Sequence, residues 1–433
     1  MSDVVLGRDS EISKDNIEKL VIFSNKDKET IDLRGGLVQF DYYESILNHT
    51  VKVECVIVDT GSSILRDGKM LSIAEGLPLC GRELVSIKFK DINDNEIDVN
   101  LYVNKFTPIK TDSTIHFELV SKESILNTGI KVKDRLDGPI SQSIKTIVSK
   151  HLESSKKVEV EQTSNTYNFL GNCKKPFYII DFLSKYAVSA TNQVYGESAG
   201  YFFYETSEGY FFKSIDGLLK QEKKISMINN DTSDAQGAQL PKNYNAKILK
   251  YEKDNTLNSH TKSTIGAYGM KLVLFDPFNS FYSEQIVEPP SSNEDKLKYL
   301  NSEFREIDKD PRTIYQVIDR GTIPGGNTMQ QLEKSQDPRF DYKNISVQSN
   351  MRYNQLFSHT FKIAMIFNTS IHAGDAIFVD IRKLAHSNSD DVDSLSGGLY
   401  IITDIRHRIS SDGAFTYCSL VRDSFGRSGT PSR

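Results

Sequence analysis

Asp404, Arg406, His407, Arg408 and Asp423 crowd a short C-terminal stretch, and they are the residue types that acid–base chemistry uses. A histidine beside a carboxylate can take a proton, and an arginine can hold an anion. In an extended segment side chains alternate, so Asp404, Arg406 and Arg408 leave on one face while His407 leaves on the other with Ile405 and Ile409. The set therefore does not converge within its strand. No nucleophile elbow, paired-glutamate site or ordered triad accompanies it, and charged residues on an exposed sheet face are the favoured reading.

Other candidates fare similarly. His49 and His359 each sit beside an apolar run and read as structural histidines at a core rim. The eight histidines show no His-Glu-x-x-His or related spacing, and Cys55, Cys80, Cys173 and Cys418 form no Cys-x-x-Cys pair. Neither a metal nor a cofactor is expected. "GTIPGGNT" (321–328) has the glycines of a phosphate loop without its Gly-Lys-Ser/Thr, and reads as a plain loop. Tyr201, Phe202, Phe203, Tyr204, Tyr210, Phe211 and Phe212 could stack bases or sugars. Aromatic runs on both strands of a hairpin fit packing on both faces better, here against two helices. Asn-x-Ser/Thr triplets at Asn48, Asn230, Asn344 and Asn368 read as chance, because "MSDVVLGRDSEISKDN" has no apolar signal region.

The elements around these residues are mostly strands. Residues 31–127 read as all-β, with a strand at Val51 to Val58, a hairpin from Glu83 to Val103 around Asn93-Asp94-Asn95, and a strand at Thr114 to Val120. From about Gly129 the apolar period becomes helical: Ile140, Ile144, Ile147, Val148 and Leu152 form one stripe, and a second helix starts on Pro176 with Ile179, Ile180 and Leu183. An aromatic hairpin, Gly200 to Ile215, completes a small α/β unit turning at Ser207-Glu208-Gly209. Linker-like stretches follow at 229–243 and 287–296, strands return after Asp341, and the last residues look frayed.

With 433 residues the chain has room for two to four domains, and a net charge of −5 argues against tight nucleic-acid binding while allowing a polyanion to slide past. No segment reaches the ~18–20 apolar residues of a membrane span, so synthesis in the cytoplasm without membrane insertion is expected.

The strand "ILNHTVKVECVIV" (46–58) has an echo in "LFSHTFKIAMIF" (356–367). At an offset of 310, Tyr43, His49, Thr50 and Lys52 fall on Tyr353, His359, Thr360 and Lys362. Three more blocks follow in order: "CGRELVSIKF" (80–89) with "AGDAIFVDI" (373–381), "LYV" (101–103) with "LYI" (399–401), and "LVSKES" (119–124) with "LVRDS" (420–424). Ordered echoes indicate an internal duplication. The fold class is then mainly β, two homologous antiparallel β-barrel domains with an α/β insertion between them.

Five segments together resemble the central hub proteins of contractile bacteriophage baseplates, related in fold to the N-terminal part of type VI secretion spike proteins. They are "NTSIHAGDAIFVDI" (368–381), "YIITDIRHRISSDGAFTYCSLVRDSFG" (400–426), "ELVSKESILN" (118–127), "PFYIIDFLSKYA" (176–187) before the aromatic hairpin, and "GAYGMKLVLFD" (266–276). The resemblance implies a first tube-like barrel at 1–128, an α/β domain at 129–228 and strands at 229–290 contributing to the second barrel. A connecting region at 291–342, the second barrel at 343–426 and a flexible tail at 427–433 complete the division. It further implies a homotrimer forming a pseudo-sixfold ring between a hexameric tail tube, or its initiator, and a trimeric central spike. Other baseplate proteins would surround this ring in the virion, DNA would pass through its lumen without specific binding, and no catalysis is expected. The eight repeated positions become structural, lumen or interface candidates. The competing readings are a tail-associated cell-envelope hydrolase and a carbohydrate-binding β protein.

Overall fold

Between Val51 and Ile57 every second residue is apolar and buried, while Lys52, Glu54 and Val56 keep part of their surface in solvent. A period of two makes this segment a strand with one dry and one wet face, and the same alternation recurs along the chain. The computed structural model describes residues 16–26, 29–66, 68–191, 199–229, 247–254, 270–276, 281–287, 312–317, 345, 348–381 and 396–424. The glycine-rich 321–328 segment, the 291–311 and 318–342 parts of the connecting region, nearly all of both linkers, Asn230, Asn344 and the 427–433 tail lie outside them.

The first copy consists of β1 (Ile17–Phe23), β2 (Thr30–Asp32), β3 (Leu37–Ser45), β4 (Lys52–Val58), β7 (Leu84–Lys90), β8 (Glu96–Ile109) and β9 (Thr114–Val120). A small hairpin, β5 (Ile64–Arg66) and β6 (Lys69–Leu71), and a short helix α1 (Ile73–Gly76) lie between β4 and β7; Ser72 caps α1 by accepting from the Glu75 N–H. The second copy consists of β15 (Ile225–Asn229), β16 (Ile248–Asp254), β20 (His359–Ile366), β21 (Ala376–Ile381), β22 (Gly398–Ser410) and β23 (Gly413–Arg422). All of these except β5 and β6 belong to one curled sheet, ordered β16-β20-β23-β22-β3-β4-β9-β8-β7-β1-β2, with β21 and then β15 added beside β22. β17 (Met270–Asp276), β18 (Phe281–Val287) and β19 (Arg312–Val317) do not join it; they form a three-stranded sheet of their own.

The two copies match in detail. The run β3-β4-β9-β8-β7-β1 has the same neighbours as β16-β20-β23-β22-β21-β15. β8 slips by one residue against β9 between Val103 and Lys105, opposite Leu119 and Glu118; β22 slips against β23 between Ile402 and Asp404, opposite Leu420 and Ser419. β3 slips against β4 between Leu37 and Gln39, and β16 against β20 between Ile248 and Lys250. A bulge inserts one unpaired residue at a defined place, so two coincident bulges fix the equivalence: Val103 with Ile402, Leu37 with Ile248, and Lys52 with Thr360. One pairing differs, since β1 runs antiparallel to β7 whereas β15 runs parallel to β21.

The turns into β7 and β21 place Gly81 at φ +90° and Gly374 at φ +91°. An L-residue there costs roughly 1–2 kcal/mol. A Cβ on Gly81 would meet nothing, but one on Gly374 would collide with the Tyr204 phenol. Gly374→Ala is therefore expected to destabilise by more than ~2 kcal/mol and Gly81→Ala by about 1, read as shifts in denaturant midpoint. Equal effects would mean that Tyr204 gives way freely.

The insertion begins directly after β9. α2 (Lys122–Gly129) starts earlier than the Gly129 boundary that periodicity suggests, because Ser121 ends the strand and turns the chain. α3 (Ile140–Thr146) runs on into a π turn at Ile147–His151, and α4 (Pro176–Tyr186) carries Pro176 in its first turn. β10 (Arg135–Leu136) pairs β12 (Phe169–Leu170), while β11 (Val158–Val160), β14 (Gly209–Ser214) and β13 (Tyr201–Thr206) form a second sheet before α5 (Ile215–Lys220). Tyr201, Phe203, Tyr210 and Phe212 pack on Ile144, Val148, Ile180 and Leu183 of the helices. Phe202, Tyr204 and Phe211 pack instead on Ile46, Leu356, Ile401 and Val421. Both faces of the hairpin are thus buried, one by helices and the other by the main sheet and α6 (Gln348–Leu356).

Candidate functional site

The seam between the copies is the antiparallel pairing of β3 with β22, from Asp404 opposite Ser45 to Ser410 opposite Gln39. It makes the two copies one sheet with one wet face. Asp41, 0% exposed, receives a two-pronged hydrogen bond from Arg406 at 2.8 and 3.0 Å. Arg408 donates to Gln39 Oε1 at 2.6 Å, and Arg406 also lies over the Tyr43 and Tyr417 rings at 5.6 and 5.8 Å. On β4, Lys52 Nζ is 2.7 Å from Glu54 and 3.5 Å from Glu118 of β9. Burial, then the neighbouring Asp41 carboxylate, pushes the Tyr43 phenol up to about 12. The wet face therefore carries both signs of charge, with Arg406 and Lys52 paired to carboxylates at contact distance.

Two buried charge clusters fasten this sheet to the insertion. Glu44 accepts from Tyr42 Oη at 2.9 Å, from the Ser207 N–H at 2.9 Å and from the Ala373 N–H at 3.1 Å, and His372 Nδ1 lies 3.3 Å from it. Burial opposes its charge, but His372 and these donors hold Glu44 below the usual carboxylate range; despite its own burial, His372 is raised by Glu44 in return. Glu205 accepts from the Val51 N–H at 3.0 Å, Ser121 Oγ at 2.6 Å and Lys156 Nζ at 2.5 Å. Lys156 also reaches Glu123 at 2.8 Å. Sequence reasoning missed all of these, because Glu44, Glu205 and Lys156 meet their partners only through tertiary folding.

The enzyme-like set disperses. Asp404 accepts from Ser45 Oγ at 2.6 Å, Arg406 is committed to Asp41, and Asp423 lies 3.9 Å from the buried Arg352. His407 is sealed in the core between Tyr42, Phe89 and Phe367, with Nδ1 2.9 Å from Thr416 Oγ1. Among the described residues no group of three or more His, Cys, Asp or Glu side chains could hold a metal, and no helix is long and apolar enough to cross a membrane. The seven hairpin aromatics are all buried and offer no stacking surface.

The repeated positions are placed unevenly. Lys52 and Lys362 lie on the wet face, but the bulges make Thr360 the counterpart of Lys52, so Lys362 stands two residues further along. His359 opens β20, buried and opposite Arg422, whereas His49 and Thr50 precede β4. The His49 imidazole stacks on Phe177 at 4.7 Å and meets Asp181 at 2.7 Å. Tyr43 is in β3, yet Tyr353 is in α6 and bonds the Tyr201 carbonyl; the counterpart of Tyr43 in the sheet is Asp254. The Tyr43–Tyr353 equivalence therefore fails, because a helix leads into β20 where β3 leads into β4.

The fold of this chain, a duplicated, seam-joined β sheet with an α/β insertion, is similar to the folds of two solved tail proteins. The 43 kDa tail protein of prophage MuSo2 from Shewanella oneidensis superposes with a TM-score of 0.52 at 10% identity, covering 94% of this chain and 98% of its own. A tail protein from Neisseria meningitidis MC58 gives a TM-score of 0.52 at 9% identity, covering 94% and 96%. No protein-family model and no curated protein sequence matches the chain.

Proposed function

We propose that this chain is a structural protein of a phage tail, a baseplate hub acting without catalysis. Three copies form a ring in which six similar β units, two per chain, meet a hexameric tail tube or its initiator on one side and a trimeric central spike on the other. The observation that carries this is the duplication within one continuous sheet, since three chains with two equivalent units each supply six similar positions under closed symmetry. The first unit corresponds to residues 1–128, and the second to 343–426 with β15 and β16. Other baseplate proteins surround the ring in the virion.

The wet face, with Tyr43, Lys52, Thr360 and Lys362, lines the lumen or the joints. Its paired charges support passage of DNA without grip, because cations already held by carboxylates release few counterions to a phosphate backbone. The test is solution mass together with negative-stain images of the purified chain, alone and with tube and spike proteins. Three-chain rings with six similar lobes are expected. A monomer under every condition would overturn the reading.

A further inference from the structure

β22 is flanked on both sides along its second half, by β23 and by β3. Its counterpart in the first copy is β8, where the bulge equates Asp404, Ile405, Arg406, His407 and Arg408 with Lys105, Phe106, Thr107, Pro108 and Ile109. This half of β8 pairs β9 on one side, and its other side has no strand among the described residues. The exposures carry the mark of the difference. Ile405 and His407 are buried at 1% and 0%, whereas Phe106 is half-buried and Pro108 exposed.

The complementary edge is β16, the counterpart of β3; among the described residues its ladder partner is β20 alone, and β15 meets the chain just before it through the bridge of Ile228 with Lys247. Phe40, Asp41 and Tyr42 are all 0% exposed beneath β22, but their counterparts Tyr251, Glu252 and Lys253 are half-buried, exposed and exposed. Among the described residues, the second copy thus carries a β3-like strand, β16, with no β22 beside it, and the first copy a β22-like strand, β8, with no β3 beside this half. Each edge matches the partner it lacks on a second copy.

We infer that the Lys105–Ile109 edge of β8 pairs antiparallel with β16 of a neighbouring copy of this chain, repeating between molecules the β22–β3 seam within one. The internal seam sets the register: Arg408 opposite Asp41 becomes Ile109 opposite Glu252, and Arg406 opposite Tyr43 becomes Thr107 opposite Asp254. Such a contact is head-to-tail, so it propagates until the ring closes. Pro108 stands where His407 stands in the seam; sheets admit proline at edges, and the joint forgoes at most one ladder hydrogen bond. The inference rests on the ring proposed above and adds which edges form its joints.

The test uses the full chain with Cys80 and Cys173, the exposed cysteines, replaced by serine. Ile109→Cys and Glu252→Cys are combined, oxidised mildly and run on non-reducing gels, with each single variant and a mis-registered Ile109→Cys with Lys250→Cys pair as controls. Residues directly opposite across a ladder come close enough for a disulfide, and a two-residue slip does not. Covalent multimers ending at the closed ring, from the in-register pair alone, are expected. Rings in the images without this cross-link would overturn the edge assignment and leave the hub intact. Cross-linked open chains would sink the closed hub and keep the edge pairing, and a monomer that never cross-links would sink both.

Discussion

Replacing Lys156 with methionine is expected to cost about 3–5 kcal/mol, a large effect for one side chain that retains about a third of its surface in solvent. Lys156 is the cation between Glu205 and Glu123, both 2% exposed. Removing it leaves two carboxylates facing each other in a site that already raises Glu205 through burial. The sign with pH follows. Without the lysine both carboxyl groups titrate higher in the folded chain than in the unfolded one, so the deficit is full at neutral pH and narrows as pH falls and they take up protons. Adding Glu205→Gln should recover part of the loss, because a neutral amide still accepts from Val51 and Ser121. Denaturant midpoints at pH 7 and 5 for the wild type and both variants would decide it; a pH-independent deficit would contradict the charge account.

The second large effect is acid loss of stability through His407. Burial, against the weaker pull of Glu44, lowers this imidazole from 6.5 to about 4. The unfolded chain takes a proton below about 6.5, while the folded chain refuses it until about 4. The stabilisation is thus complete above pH 6.5 and is lost as pH falls toward 4, a total of about 3 kcal/mol. His407→Phe fills the same aromatic pocket without a titrating group. Midpoints between pH 7 and 4.5 should fall less steeply for the variant, and parallel curves would rule out His407 as the source.

Much of the fold can be read in the letters. The alternation of Val51, Val53, Cys55 and Ile57, the helical stripe through Ile144 and Val148, and the hairpin at Ser207-Glu208 each reflect a local rule that tertiary packing did not override. The duplication was visible too, but its register was not. A strand repeats every two residues, so sliding "HTVKVECVIV" by two along "HTFKIAMIF" keeps every side chain on the same face. Only the bulges at Asn104 and Thr403, and at Val38 and Leu249, mark the true alignment, and a bulge leaves no letter of its own. The buried clusters were hidden for a different reason. Asp41 and Arg406 stand 365 positions apart, and nothing near either residue announces the other.

The two-sided burial of the aromatic hairpin bears on how the chain is made. Residues 201–214 leave the ribosome together with the helices that cover one face, but Ile401 and Val421, which cover the other, follow some two hundred residues later. At about 5–20 residues per second that interval is on the order of ten to forty seconds. During it Phe202, Tyr204 and Phe211 form a greasy surface on an otherwise finished α/β unit. A nascent chain in that condition needs shelter from its polysome neighbours, and yield should suffer first where synthesis is slowed between the insertion and β22.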